Sequence, residues 1–315
     1  MPGERMVFFG TEAWGVPSLE ALVAAGYQVV AVVTRPDSLT GRGRKLQPSP
    51  VKQAALGLGL HVLTPNRVRD VLPQIKAADA KIGTLIAYGK IIPQDVLDAF
   101  GRGILNLHPS RLPKHRGPSP IEASIIEEAE LGHFSIIRLS ADMDAGDIVA
   151  RGRLDLTEAE AAAATSHELY ERVGRSAPAV LVAAVASVFN GDAQYEAQDH
   201  AQATFTPMIV KHQAPIDWIQ PATAIARKVR AHDGWPGSKT MVDGIHVIIT
   251  RAHAGDSRPL VGTGETGAQP GTAFKTTHGE LAIITGHGEL IIDRLKPAGK
   301  NEMTGKAFLA GHPFR

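Results

Sequence analysis

Apolar positions in the first two-thirds of the chain fall into short unbroken runs separated by stretches of helical spacing. The runs are Met6–Phe9, Val29–Val33, Ile82–Ile86 and Ile104–His108. Runs this short, rich in β-branched residues, predict strands covered on both faces. Gly10-Thr11 reads as a turn after the first of them, and Leu19, Leu22 and Val23 then recur at helical spacing. Strands alternating with helices predict βαβ units and a mostly parallel sheet in an α/β domain. Residues 158–189 contain a long Ala-rich amphipathic helix with Ser166 as its cap. Asn190-Gly191-Asp192 stops it.

The texture then changes. Residues 191–207 are polar and aperiodic and read as a linker, which leaves 1–190 as one domain and 208–315 as another. In the second, a helical segment near Ala222–His232 precedes short apolar runs at Val247–Thr250, Leu281–Ile284 and Leu290–Ile292, separated by glycine-rich turns. That pattern predicts a small β-rich domain of barrel type. Gly255–Gly271 reads as a loop. A chain of 315 residues has enough length for two cores.

Composition narrows the chemistry. There is no cysteine, so disulfides and thiolate catalysis are excluded. Residues 1–10 show no secretory signal, and no apolar run approaches the roughly 18 residues of a membrane span. A cytoplasmic protein without a membrane partner is the expectation. The net charge of +1 is unevenly spread: residues 206–315 carry 13 Lys plus Arg against 9 Asp plus Glu, a balance of +4, and the remainder balances at −3. This asymmetry fits either an anionic partner on the C-terminal part or chance.

The most informative stretch is Asn106-Leu107-His108-Pro109-Ser110. Asn106 and His108 are two apart, so on a strand they face the same way. Ligands in open α/β sheets bind just past such strand ends. A proline-rich loop follows, Leu112-Pro113-Lys114-His115-Arg116-Gly117-Pro118-Ser119-Pro120, and then an acidic turn, Asp142-Met143-Asp144-Ala145-Gly146-Asp147. The turn is not a calcium loop, because the twelve-residue pattern ending in a bidentate Glu is missing. By itself, a histidine at a strand end is more often structural than catalytic.

Taken together these residues resemble the formyltransferase family that uses 10-formyltetrahydrofolate. The match is Asn106, His108, Ser110, Leu112-Pro113, Arg116-Gly117, Pro120-Ile121 and Asp144-Ala145-Gly146-Asp147. The resemblance implies a Rossmann-like N-terminal domain with a smaller C-terminal β-barrel resembling an OB-fold. It implies Asn106, His108 and Asp144 as the catalytic set, with no metal. The folate would be held near Tyr88, Gly89, Lys90, Ile91, Ile92 and Pro93, chiefly by backbone groups, and near Ser110, Leu112 and Pro113. The chemistry suits that set. A neutral amine attacks the formyl carbon, and Asn106 can donate to the oxyanion, worth about 10²–10³ in rate in comparable sites. His108 can donate there too, or carry the proton from the amine to the departing folate nitrogen. Asp144 would orient the ring.

Within that family the chain is similar to the branch acting on initiator methionyl-tRNA. A basic loop, Gly41-Arg42-Gly43-Arg44-Lys45, follows the second strand. It reads either as a solvated turn or, by resemblance, as the loop meeting the acceptor end, with Arg42, Arg44, Lys45 and also Arg116 placed for phosphates. Ile216-Asp217-Trp218, the Arg227-Lys228-Arg230 helix, Gly234-Trp235-Pro236-Gly237 and Leu295–Lys300 resemble the C-terminal domain of that branch, implied to bind the tRNA. Trp218 and Trp235 fit core positions better than base-stacking ones. Thr204-Phe205-Thr206-Pro207 resembles its linker. A monomer is implied. Departures are Arg111 in place of Leu, Pro118-Ser119 in place of Ala-Ala, and Gly132-His133-Phe134-Ser135 in place of Thr-Gly-Val-Thr; they bear on acceptor fit. The rival readings are a formyltransferase for a small amino sugar or nucleotide, a folate-dependent hydrolase releasing formate, and an RNA binder without catalysis.

Overall fold

The computed structural model describes residues 3–40, 45–255 and 269–312. Its contacts divide the chain into two compact units: Met1–Pro120, Glu130–Thr157 and Leu169–Pro207, and then Ile121–Ala129, Glu158–Glu168 and Met208–Arg315. Residues 191–207, which read as a linker, fall within the first unit, and two short inserts from the N-terminal two-thirds fall within the second.

The first unit is built on a seven-stranded sheet of order β5-β2-β1-β6-β7-β8-β9. The strands are β1 (Arg5–Gly10), β2 (Gln28–Val33), β5 (Val62–Leu63), β6 (Ile82–Ile86), β7 (Ile104–His108), β8 (His133–Arg138) and β9 (Ile148–Arg153). A separate hairpin, β3 (Ser38–Thr40) with β4 (Lys45–Gln47), stands outside it. Strands β5 through β7 are parallel, while β8 and β9 are antiparallel additions. The mostly parallel sheet read from the sequence is present. Gly10, read as a turn, is the last residue of β1 and pairs with Ile86. The strand order reverses direction between β1 and β6, the position where α/β sheets open a crevice beyond the strand ends. Four helices accompany these strands, α1 (Val16–Ala24), α2 (Pro50–Gly57), α3 (Leu72–Ala77) and α4 (Gln94–Leu97), while α5 (Pro120–Glu127) falls almost wholly within the second unit. One face of the sheet buries Val7, Phe9, Ala31, Val33, Val96, Phe100 and Ile104 as a single cluster.

The long helix expected within 158–189 is α7 (Ser166–Asn190), and a short helix, α6 (Glu158–Ala163), precedes it. The cap is Thr165, not Ser166. The Glu168 amide donates to the Thr165 hydroxyl (3.4 Å) and the Thr165 amide to the Glu168 carboxylate (2.9 Å), a reciprocal capping box. By length and composition helix α7 is long and apolar enough to cross a membrane, although Glu168, Glu171, Arg172 and Arg175 interrupt it and leave no unbroken apolar run of that length. Its apolar stripe, Leu169, Val173, Ala177, Leu181, Val185 and Val188, is buried in the protein at the three-to-four-residue spacing of a core helix.

The second unit carries an antiparallel sheet of order β10-β11-β14-β13-β12, from β10 (Ser238–Val242), β11 (Ile245–Ala254), β12 (Ala273–Lys275), β13 (Leu281–Ile284) and β14 (Glu289–Pro297), with β15 (Met303–Thr304) also paired to β14. It is a curled half-barrel: among the described residues no ladder joins β10 to β12. Helix α8 (Ala222–Ala231) presents Ile225 and Val229 to its core, and α9 (Gly305–Gly311) presents Phe308 and Leu309. The loop read at Gly255–Gly271 lies mostly outside the described residues.

Candidate active site

The geometry begins with β7. All five of its residues are buried, and Asn106 and His108 share a face, as their spacing requires. Both turn toward Asp144. The Asn106 amide nitrogen lies 3.4 Å from Asp144 Oδ1, and His108 Nδ1 lies 3.6 Å from Asp144 Oδ2. The Gly117 amide donates to Asp144 Oδ2 at 2.8 Å. The other imidazole nitrogen, Nε2, lies 2.9 Å from the carbonyl oxygen of His115, a bond that requires the proton on Nε2. Both ring nitrogens therefore face acceptors. The three residues predicted as the catalytic set are brought together.

Asp144 reaches this position because of its turn. It sits at φ +49, a left-handed conformation uncommon for a residue with a side chain. Gly146 cannot carry a Cβ, which would lie 1.7 Å from the Arg138 carbonyl oxygen. The turn closes where the Arg138 amide donates to Asp147 O at 2.9 Å.

The loop after β7 is fixed by hydrogen bonds of its own. Ser110 donates from its hydroxyl to Lys114 O (2.7 Å), Ser135 donates to Ser110 O (2.8 Å), and the Leu112 amide reaches the Ser135 hydroxyl (3.3 Å). Leu112 precedes a cis Pro113 and packs with Ile137 and Ile148. Ser110, Leu112 and Pro113 thus shape the loop. Gly117, at φ +113, lies so close to Thr206 that a Cβ would meet its carbonyl at 2.5 Å.

The Tyr88–Pro93 segment leaves β6 for α4. Tyr88 is a core residue. Its ring meets Phe9 edge-on at 5.7 Å, its hydroxyl has no partner among the described residues, and burial pushes that hydroxyl up to about 12. Its carbonyl accepts from the Thr11 hydroxyl at 3.1 Å. Gly89 takes φ +75 with open space where a Cβ would stand. Lys90 is tied to the carbonyls of Pro65 (2.9 Å) and Asn66 (2.7 Å). Ile91 is 83 % exposed, Ile92 packs at the edge of the core, and Pro93 caps α4. A cavity of about 320 Å³ is lined among others by Gln94, Leu97, Asp98, Ile104, Arg138 and Leu139. Its lining is continuous in the chain with Pro93 on one side and with the Asp142–Asp147 turn on the other.

Two expectations change. Arg116, predicted to meet tRNA, is only 4 % exposed. Its guanidinium binds Gln198 and His200 and lies 6.0 Å over the Phe205 ring, so a backbone phosphate has no access to it. Arg111, one of the departures that bear on acceptor fit, is paired with Glu130 at 3.3 Å and stays half-exposed. Arg42 and Arg44 lie outside the described residues, while Lys45 opens β4 and is exposed. Trp218 packs on the core of the second unit, but Trp235 is exposed at 58 %, against its reading as a core residue. No group of three or more His, Asp or Glu able to hold a metal occurs among the described residues. The sequence reading missed Ser135 and Gln198, whose bonds join distant segments and leave no periodic trace.

Comparison with known proteins gives this geometry a family. The family described as "Formyl transferase" matches residues 4–185, and "Formyl transferase, C-terminal domain" matches 208–313. A methionyl-tRNA formyltransferase of Chloroflexus aggregans is 38 % identical over 98 % of this chain and 97 % of its own length. One from Roseiflexus castenholzii is 40 % identical over 95 % and 93 %. Among solved structures, the N-formyltransferase of Helicobacter canadensis in complex with folinic acid and dTDP-3-aminofucose superposes with a TM-score of 0.64 at 14 % identity, over 92 % of this chain and 98 % of that one. HypX of Aquifex aeolicus with tetrahydrofolic acid gives 0.64 at 18 % identity over 97 % of this chain, which spans only 46 % of the HypX chain. At these identities the structures speak for the fold alone. By both domains and by its full-length relatives, this chain belongs to the formyltransferase family.

Proposed function

We propose that the protein transfers the formyl group of 10-formyltetrahydrofolate to the amino group of initiator methionyl-tRNA, giving formylmethionyl-tRNA for translation initiation. Relatives that are 35–40 % identical over nearly their whole length carry that activity in their names. The observation that carries the mechanism is the convergence of Asn106 and His108 on one carboxylate at the end of β7.

The co-substrate supplies an activated formyl group on nitrogen. The Tyr88–Pro93 backbone and the cavity of about 320 Å³ that follows it in the chain suit its flat ring: the cavity is within the size range of ligand pockets and mixes apolar walls (Leu97, Phe100, Ile104, Leu139) with polar groups (Gln94, Asp98, Arg138, Ser140). The protein's own residues do the rest. Asn106 donates its amide proton to the formyl oxygen as negative charge develops there, in a buried setting where such a bond is strong. His108 exchanges the His115 carbonyl for the reacting groups and moves the amine proton toward the departing nitrogen. Asp144 orients the ring and stabilises its charged form. Lys45, the first residue of β4, positions the acceptor end by phosphate contact together with Arg42 and Arg44, which precede it in the chain, and the second unit holds the tRNA arm. The protein works as a monomer in the cytoplasm; all three site residues come from one chain. Replacing His108 by Ala lowers turnover at least about 100-fold. Turnover near that of the wild type would remove His108 from the mechanism.

A further inference from the structure

The segment after α7 runs back across the site. Glu196 pairs with Ile148, the Thr204 hydroxyl accepts from the His115 amide at 2.8 Å, and the Thr206 amide donates to Arg116 O at 2.7 Å. Within this strap lies Gln198, 5 % exposed. Its amide nitrogen donates to the carbonyls of Asp144 (2.8 Å) and Gly146 (2.7 Å), and its oxygen accepts from Arg116 Nε (3.1 Å) and Nη2 (2.7 Å).

From this geometry we propose that Gln198 is a positioning residue for formyl transfer, fixing the Asp144 turn and, through it, the Asn106–His108 pair. The inference rests on the catalytic reading given above. An amide has two protons and two oxygen lone-pair sites, and here all four are used. Its orientation is forced, since a flipped amide would turn NH2 against a guanidinium and oxygen against two carbonyls. The turn needs such support because Asp144 holds a left-handed backbone at φ +49, a strained state that persists only where surroundings over-determine it. The margin at the site is small. Asn106 stands 3.4 Å from the Asp144 carboxylate, at the outer limit for a hydrogen bond, and His108 stands at 3.6 Å, within ion-pair range only, so a shift of about 0.5 Å separates them and misaligns the reaction. No bond joins Gln198 to Asn106 or His108 themselves; its action runs through Asp144. Arg116 completes the array, since an unpaired guanidinium at that depth would be costly.

The test compares Gln198→Met, Gln198→Glu, Asp144→Asn and the double variant Gln198→Met with Asp144→Asn, in the full chain. Turnover, both Michaelis constants and the melting temperature are measured for each. Gln198→Met is expected to lower kcat 10- to 100-fold with both KM values within threefold, and to cost less than threefold when Asp144 is already Asn, because the two act through one element. Gln198→Glu keeps the volume and the Arg116 contact but sets an oxygen against the two carbonyls. It should show the same kcat loss, and it decides the question if the Met variant fails to fold. Wild-type turnover in a folded Gln198 variant, or losses that multiply fully in the double variant, would overturn the proposal. Full activity in Asp144→Asn alone would instead overturn the catalytic reading.

Discussion

The Asp144→Asn substitution probes the site with the least disturbance of shape. Asn has the size of Asp, and its oxygen can keep the 2.8 Å bond from the Gly117 amide. Two things then change. The NH2 of the new residue faces the Asn106 amide, which must rotate to accept and so gives up the donor role proposed for it. The negative charge 3.6 Å from His108 Nδ1 also disappears. Two unit charges at that distance, in an effective dielectric of about 20, interact by about 4–5 kcal/mol. The imidazole carries only part of a charge in the transition state, and Asp144 retains some exposure. A loss of about 10²–10³ in kcat, roughly 3–4 kcal/mol, is therefore expected. Single-turnover transfer with both substrates saturating reads this step directly, and the melting curve checks folding. A folded variant turning over within threefold of the wild type would refute the argument that the carboxylate supports His108.

Other predictions follow from packing and burial. Gly146→Ala forces a Cβ into the Arg138 carbonyl, 1.7 Å away. Backbone must move, so a stability loss of about 3 kcal/mol or more is expected together with the loss of activity; an unchanged denaturation midpoint would contradict the geometry. His232 in the second unit is buried with an unpartnered Nδ1. Burial first, and Lys228 second, press it down to about 4 from an ordinary 6.5. The unfolded chain then binds the proton more readily than the folded one, so His232 takes stability away as pH falls from about 6.5 toward 4 and costs nothing above that window. The melting temperature should decline over that range, and less steeply in His232→Gln. Equal slopes would show that the ring is not held neutral.

The parallel core was legible because β1, β2, β6 and β7 are covered on both faces and so read as plain apolar runs. Strand β9 was not, since Ile148–Arg153 is an edge strand with one neighbour and its polar residues interrupt the pattern. Strand β14 was seen only at Leu290–Ile292, because Asp293, Arg294 and Lys296 face outward along the rest of it. At the site, the period-two spacing put Asn106 and His108 on one face of β7, but only the resemblance to the formyltransferase motifs joined them to the acidic turn. Arg116 misled: a cation in a proline-rich loop looks made for phosphate, and the partners that bury it, Gln198, His200 and Phe205, lie more than eighty residues away in a segment without periodicity. The start of α7 was read one residue late, at Ser166, because Thr165 and Ser166 are both capping residues in sequence and only the reciprocal Thr165–Glu168 bonds decide between them.

The acceptor is the centre of the functional reading. Purified protein supplied with 10-formyltetrahydrofolate, initiator methionyl-tRNA and glycinamide ribonucleotide together should place the formyl group on the methionine of the tRNA. Formate released without transfer, or formyl found on the small nucleotide instead, would contradict it.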